Sequence, residues 1–154
     1  MKRNPTFSLI LPNIRSGHNV GAMFRTADAC GVDHIYIVGY TATPPHPQID
    51  KVALGAETWV PWSSYKHLPR LIRQLKKKGV QIIALEKADA SVDIATVRVQ
   101  TPLALIVGNE VDGIPEEILA LCDRVVHIPM HGKKESLNVS VAAGIAMYAI
   151  RTKI

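Results

Sequence analysis

The sequence predicts an α/β fold: a parallel sheet flanked by helices. Three observations carry this. Short apolar runs recur along the chain, at Phe7–Leu11, His34–Val38, Val80–Leu85, Leu103–Val107 and Val125–Ile128. Stretches of helical periodicity separate them, which is the alternation that parallel sheets require. No internal repeat, low-complexity tract or long linker interrupts the 154 residues, so one domain over 1–154 is expected.

The first strand, Phe7–Leu11, closes at Pro12. Asn19 is expected to cap a helix whose buried stripe is Val20, Met23, Phe24 and Ala27, with Gly31 as its stop. Arg25 and Asp28 fall off that stripe, toward solvent or a cleft. His34–Val38 follows and ends at Gly39. Pro44, Pro45 and Pro47 make residues 41–48 a rigid, exposed loop. A short helix is expected at Asp50–Leu54 and a short strand at Thr58-Trp59-Val60. Ser63 or Ser64 is expected to cap a helix ending in Lys76-Lys77-Lys78, which suit the negative end of its dipole. Val80–Leu85 is an interior strand, Ser91–Val99 is ambiguous, and Leu103–Val107 is the clearest buried strand. Pro115, Glu116 and Glu117 open a helix, Val125–Ile128 forms another strand, and the last helix runs from about Asn138 to Ile150.

Hydrophobic residues make up 47% of the chain, enough for a substantial core. A net charge of +5 and an isoelectric point near 9.4 favour an anionic partner. Cys30 and Cys122 form no disulfide framework and are expected to be reduced and buried. The apolar run near the start is too short for a signal peptide and no stretch approaches a membrane span, so a cytoplasmic location is expected by elimination.

Neither GxGxxG nor GxxxxGK[ST] opens a helix here, which argues against ordinary NAD and ATP sites. The glycine turn comes late, at Gly108 and Gly113. A turn just beyond Leu103–Val107 lies where open α/β sheets bind ligands, and Gly108 would let a ligand approach the backbone. The alternative is that both glycines merely turn the chain. No metal is expected: His127 and His131 flank a Pro-Met turn, and neither cysteine has partners nearby.

Two segments add a chemical identity: NVGAMFRTADACG (19–31), and ALIVGNEVDGIP (104–115) with HIPMHGKKESLNVSVAAG (127–144). Their Asn19, Arg25-Thr26, Gly108-Asn109-Glu110, Ile128-Pro129-Met130 and Ser136-Leu137-Asn138-Val139-Ser140 resemble the motifs of SpoU-type (TrmH-like) RNA ribose 2'-O-methyltransferases of the SPOUT superfamily. The motifs span nearly the whole chain.

The resemblance implies a C-terminal deep trefoil knot, against the usual rarity of knots. It implies S-adenosyl-L-methionine as cofactor, walled by Leu85, Gly108, Ile128 and Leu137, with Glu86 and Met130 nearby. It implies a homodimer built on the first and last helices. The last helix supports this independently, because its residues are apolar or small on every face and need cover; a purely intramolecular core helix is the alternative.

The catalytic set implied is Arg25, Asn19, Glu110 and Asn138. Arg25 would engage the target phosphate and ribose hydroxyl. A guanidinium stays charged, with a pKa above about 12, so clamping and orientation suit it better than base catalysis. Its bland role is a surface ion pair with Asp28. Asn19 orients the ribose or caps its helix; Glu110 fixes Arg25 or closes a turn; Asn138 and Ser140 serve the site or cap the last helix. Arg15, Lys133 and Lys134, with Arg3, the 75–79 region and Arg151, are candidate phosphate contacts. Aromatic residues total 5% and offer no obvious stacking platform. No RNA-binding extension is recognisable, so the dimer surface is expected to grip RNA. The leading expectation is 2'-O-methylation of tRNA, with rRNA second and no DNA or membrane partner. A non-catalytic RNA-binding protein of the same fold and a small-molecule methyltransferase are the alternatives.

Overall fold

Seven parallel strands form one sheet in the computed structural model, which describes residues 5–154. Arg3 lies outside the described residues. In chain order the elements are β1 (Phe7–Pro12), α1 (Gly17–Ala29), β2 (His34–Val38), α2 (Pro47–Ala53), α3 (Ala56–Trp59), β3 (Trp62–Tyr65), α4 (Leu68–Lys77), β4 (Gln81–Leu85), β5 (Val92–Asp93), β6 (Leu103–Ile106), α5 (Glu116–Leu119), β7 (Arg124–His127) and α6 (Val139–Arg151).

The strand order is β3-β2-β1-β6-β4-β7-β5. The continuous apolar runs take the middle: every residue of β1 and β6 is buried, as befits strands covered on both faces. The short, polar β3 and β5 close the two edges. Alternation along β1 divides the core. Phe7, Leu9 and Leu11 pack with Val20, Met23 and Phe24 of α1 and with Ala143, Ala146 and Met147 of α6. Ile10 points the other way, into a layer with Leu71, Ile72 and Leu75 of α4 and Ile118 of α5.

Strand order reverses between β1 and β6: the chain winds out through β2 and β3 on one side, and β4, β7 and β5 lie on the other. The loops leaving β1 and β6 therefore diverge past the sheet's carboxyl edge, and that crevice is where open α/β sheets take ligands.

Several local expectations are corrected. Ser16, not Asn19, caps α1: its side chain accepts from the Asn19 N–H at 3.2 Å. Asn19 sits inside the first turn, so its amide is free for other partners. The helix expected at Asp50 begins at Pro47, with His46 as cap, because proline at the first helical position gives up no needed N–H. The 41–48 loop is not wholly exposed. Thr41 is buried, accepting from the Ile14 N–H and donating to the Leu11 carbonyl. Residues 58–60 are not a strand. Gly55, at φ +97°, starts the single-turn α3 there, and the strand comes later, at β3. Ser63 and Ser64 lie in β3, paired with Tyr36 and Ile37, so His67 rather than a serine precedes α4. Asp28 bonds the Trp59 indole N–H at 2.8 Å and makes no ion pair with Arg25.

Helix α1 lies hard against α2 at Gly21, where an added Cβ would come within 2.6 Å of the Ile49 carbonyl oxygen. Alanine is ordinarily the better helix former by about 1 kcal/mol. Here the collision is with backbone and should outweigh that gain. Gly21→Ala is expected to destabilise the fold by about 1–3 kcal/mol, the usual cost of overpacking, readable as a lower urea midpoint.

Candidate active site

A cleft of about 790 Å³ opens past the carboxyl ends of β4, β6 and β7. Three chain segments wall it. The first is Leu85, Glu86 and Lys87, leaving β4. The second is the 107–113 turn beyond β6. The third runs from His127 through Ile128 and Met130 to residues 134–139, entering α6. All six residues expected around the cofactor (Leu85, Glu86, Gly108, Ile128, Met130, Leu137) line it. So do His127, Ser136 and Ala142; Ser136 belongs to the 136–140 motif, but none of the three was expected at the cofactor.

The 108–113 turn is tightly built. Asn109 and Gly113 exchange backbone hydrogen bonds at 3.2 and 3.0 Å, and Asn109 Oδ1 accepts from the Val111 and Asp112 N–H groups. Gly108 has to be glycine: a Cβ there would lie 2.9 Å from the Gly113 backbone. Glu86 braces the turn from β4, accepting from the Ile114 N–H at 2.8 Å and the Lys87 N–H at 3.0 Å. Its carboxylate is thus part of the wall's frame.

At the rim three distant motif residues meet. Glu110 accepts from the Arg15 and Ser16 N–H groups at 2.9 and 3.0 Å, and from Asn19 Nδ2 at 3.0 Å. Asn19 Oδ1 in turn accepts from Asn138 Nδ2 at 3.2 Å. Asn138 Oδ1 caps α6, accepting from the Ser140 N–H and hydroxyl at 2.8 and 2.6 Å. One hydrogen-bonded line therefore runs from the β6 turn through α1 to α6 across the switch point. Asn138 caps the helix, the alternative role given for it, and its amide also reaches Asn19 at the rim. Glu110 closes onto the loop after β1 and not onto Arg25.

Partial burial pushes the Glu110 carboxyl upward. The N–H groups of Arg15, Glu110 itself and Ser16, with the Asn19 amide, outweigh it and leave the group below its ordinary range. A depressed carboxyl contributes stability above its unfolded pKa and loses it as pH falls through the folded value. Glu110→Gln, which cannot ionise, is expected to be less stable than wild type at pH 7, with the gap closing in acid below the usual carboxylate range. Chemical denaturation across pH 3–7 would read it; a gap independent of pH would sink the assignment.

Of the residues expected to touch RNA, Lys134 lines the cleft, while Arg15 and Lys133 are exposed beside it. Arg25 does not line it. It stands exposed on α1, six residues beyond Asn19, about 9 Å along the axis, with no side-chain hydrogen bond or ion pair among the described residues. No group of three potential metal ligands occurs among the described residues either.

A parallel sheet with its cleft on one side of the switch, framed by a late glycine turn in place of a phosphate-binding loop, is consistent with the SPOUT-type α/β fold that the motif resemblance implies. The chain matches the SpoU rRNA Methylase family over residues 6–148, and it belongs to that family. It is 38% identical to the 23S rRNA (guanosine-2'-O-)-methyltransferase RlmB of Nitrosomonas europaea over 94% of this chain and 55% of that protein. It is 33% identical to the tRNA (guanosine(18)-2'-O)-methyltransferase of Escherichia coli over 96% of this chain and 63% of the relative. The AdoMet-bound rRNA methyltransferase of Sinorhizobium meliloti superposes with a TM-score of 0.89 at 30% identity, over 96% of this chain and 56% of that one. The chain thus spans a little over half the length of such relatives.

Proposed function

We propose that this protein transfers a methyl group from S-adenosylmethionine to a ribose 2'-hydroxyl of RNA, tRNA ahead of rRNA. The observation that carries the reading is the convergence of Asn19, Glu110 and Asn138 on the rim of the cleft. The cleft suits the donor. Leu85, Ile128, Met130 and Leu137 offer apolar surface to an adenosine, and the turn at Gly108 offers backbone polar groups to its edges. Three carboxylates (Glu86, Glu110, Glu135) against two ammonium groups (Lys87, Lys134) favour a ligand of net positive charge. When bound, the donor supplies an electrophilic methyl on a sulfonium.

This chain's part is orientation: a hydroxyl must be held in line with that methyl, and correct placement carries most of the gain. Asn19 and Asn138, fixed by Glu110, hold the ribose; Arg25 clamps the adjoining phosphate.

The same reading includes a deep trefoil knot formed by the C-terminal segment, and a homodimer. Support for the dimer comes from α6, where Val141, Ile145 and Tyr148 form an exposed stripe with relative exposures of 50%, 43% and 68%. Spaced by four and three, they share one face, and such a face calls for a partner. Gly144 faces Thr26, the neighbour of Arg25, so closely that an added Cβ would lie 3.3 Å from its methyl carbon, which sets Arg25 beside that stripe. Arg25 accordingly serves the partner's cleft, which accounts for its distance from its own. Among the described residues no helix is long and apolar enough to cross a membrane.

The test is transfer of labelled methyl to unfractionated tRNA and rRNA, followed by nuclease digestion. Label in 2'-O-methylnucleosides supports the reading. Label in bases only, or donor binding without transfer to any RNA, overturns it.

A further inference from the structure

A second cavity, of about 430 Å³, lies on the other side of the switch point, past the ends of β1, β2 and β3. It shares Asn109 and Gly113 with the cleft, so the same turn divides the two spaces. Tyr40 stands in it with a relative exposure of 62%. An exposed tyrosine usually leaves its hydroxyl to water, but this one is held at both ends. Its N–H donates to Asn13 Oδ1 at 3.1 Å, and its hydroxyl accepts from Asn109 Nδ2 at 2.9 Å. The same Asn109 amide donates to the Asn13 carbonyl at 2.7 Å, closing the bracket. Asn13 Oδ1 and the Asn109 amide N–H hold this solvent-facing residue in place, while Asn109 Oδ1 secures the turn.

The geometry points to Tyr40 as a stacking platform for an unpaired nucleobase of the RNA, next to the target ribose; this rests on the RNA-directed function proposed above. A fixed aromatic face costs little entropy to use, and any base can lie on it. The rest of the lining suits a nucleotide. Asp112 and Glu117 can accept from the amino edges of a base, and Lys66 and His67, exposed in the same cavity, suit its backbone phosphates. Asn109 joins the platform to the cofactor turn, so a stacked base would be set in register with the cleft.

Filter binding of unfractionated tRNA and rRNA, over a series of salt concentrations, tests this beside calorimetry with S-adenosylmethionine. Tyr40→Ala is expected to weaken RNA binding about tenfold, leaving the salt slope and donor affinity as in wild type. Tyr40→Phe keeps the ring, gives up only its anchor, and is expected to fall between the two. Lys66→Ala should instead reduce the salt slope by about one. The inference fails if Tyr40→Ala binds RNA like wild type, if Tyr40→Phe is as weak as Tyr40→Ala, or if donor binding falls in step with RNA binding. Wild type that binds RNA through Tyr40 without methylating it would overturn the proposed reaction alone, and wild type that binds neither RNA would overturn both.

Discussion

Replacing Arg25 by alanine is expected to cut the rate constant for RNA methylation about a hundredfold, with donor affinity unchanged. The guanidinium lies outside the cleft of its own chain, so no contact with a donor bound there is lost. What goes is a charged clamp on the target nucleotide, and misplacing a nucleophile by an ångström is enough to cost that much. Arg25→Lys keeps the charge but loses the planar, two-pronged grip, and is expected to recover only a small part of the rate. The assignment across the dimer has its own test. In a mixed dimer of Arg25→Ala with a variant dead at Asn138, one cleft carries both lesions and the other none. Random mixing of the two inactive proteins should therefore restore about a quarter of wild-type activity. If Arg25 served its own cleft, every site in the mixture would carry a lesion and nothing would return.

That arrangement shows where sequence reading succeeds and where it stops. Strands β1, β2, β4 and β6 are legible because interior parallel strands are apolar almost without a break, Leu103-Ala104-Leu105-Ile106 most clearly. The polar edge strand β3 is not. Trp62-Ser63-Ser64-Tyr65 becomes a strand by pairing with β2, a tertiary decision that its two serines conceal. At α1 two residues compete for one job, since Ser16 and Asn19 are both good caps. Ser16 takes it, and this frees Asn19 for the rim.

The residues expected around a cofactor come from motif resemblance and line one cleft, but no local periodicity could have joined its parts. Glu110 lies 91 residues from Asn19, and Asn138 lies 119 from it. Their meeting depends on the order of strands across the switch. Tyr40 escaped notice for a related reason: scarce aromatics suggested no platform, and only the bracket of Asn13 and Asn109 singles this ring out.

The turn that separates the two cavities is also where a single methyl group should harm both the fold and the cleft. Gly113 sits at φ +67°, a conformation costing an ordinary residue about 1–2 kcal/mol, and an added Cβ would run into the Glu86 carboxylate. That carboxylate cannot yield without giving up its bond to the Ile114 N–H, a charge-assisted contact worth about 1.5–3 kcal/mol. Gly113→Ala is thus expected to destabilise the fold by several kcal/mol at most and to weaken donor binding by about tenfold or more, because Glu86 and Gly108 move with the wall they form. Gly79 supplies the control. It has a similar φ, +81°, with nothing within 4 Å of an added Cβ, so Gly79→Ala should carry the backbone penalty alone and bind the donor like wild type. Calorimetric titration with S-adenosylmethionine, paired with urea unfolding of both variants, separates the two contributions. Equal donor affinity in the two alanine variants would mean that the Glu86 brace does not shape the cleft.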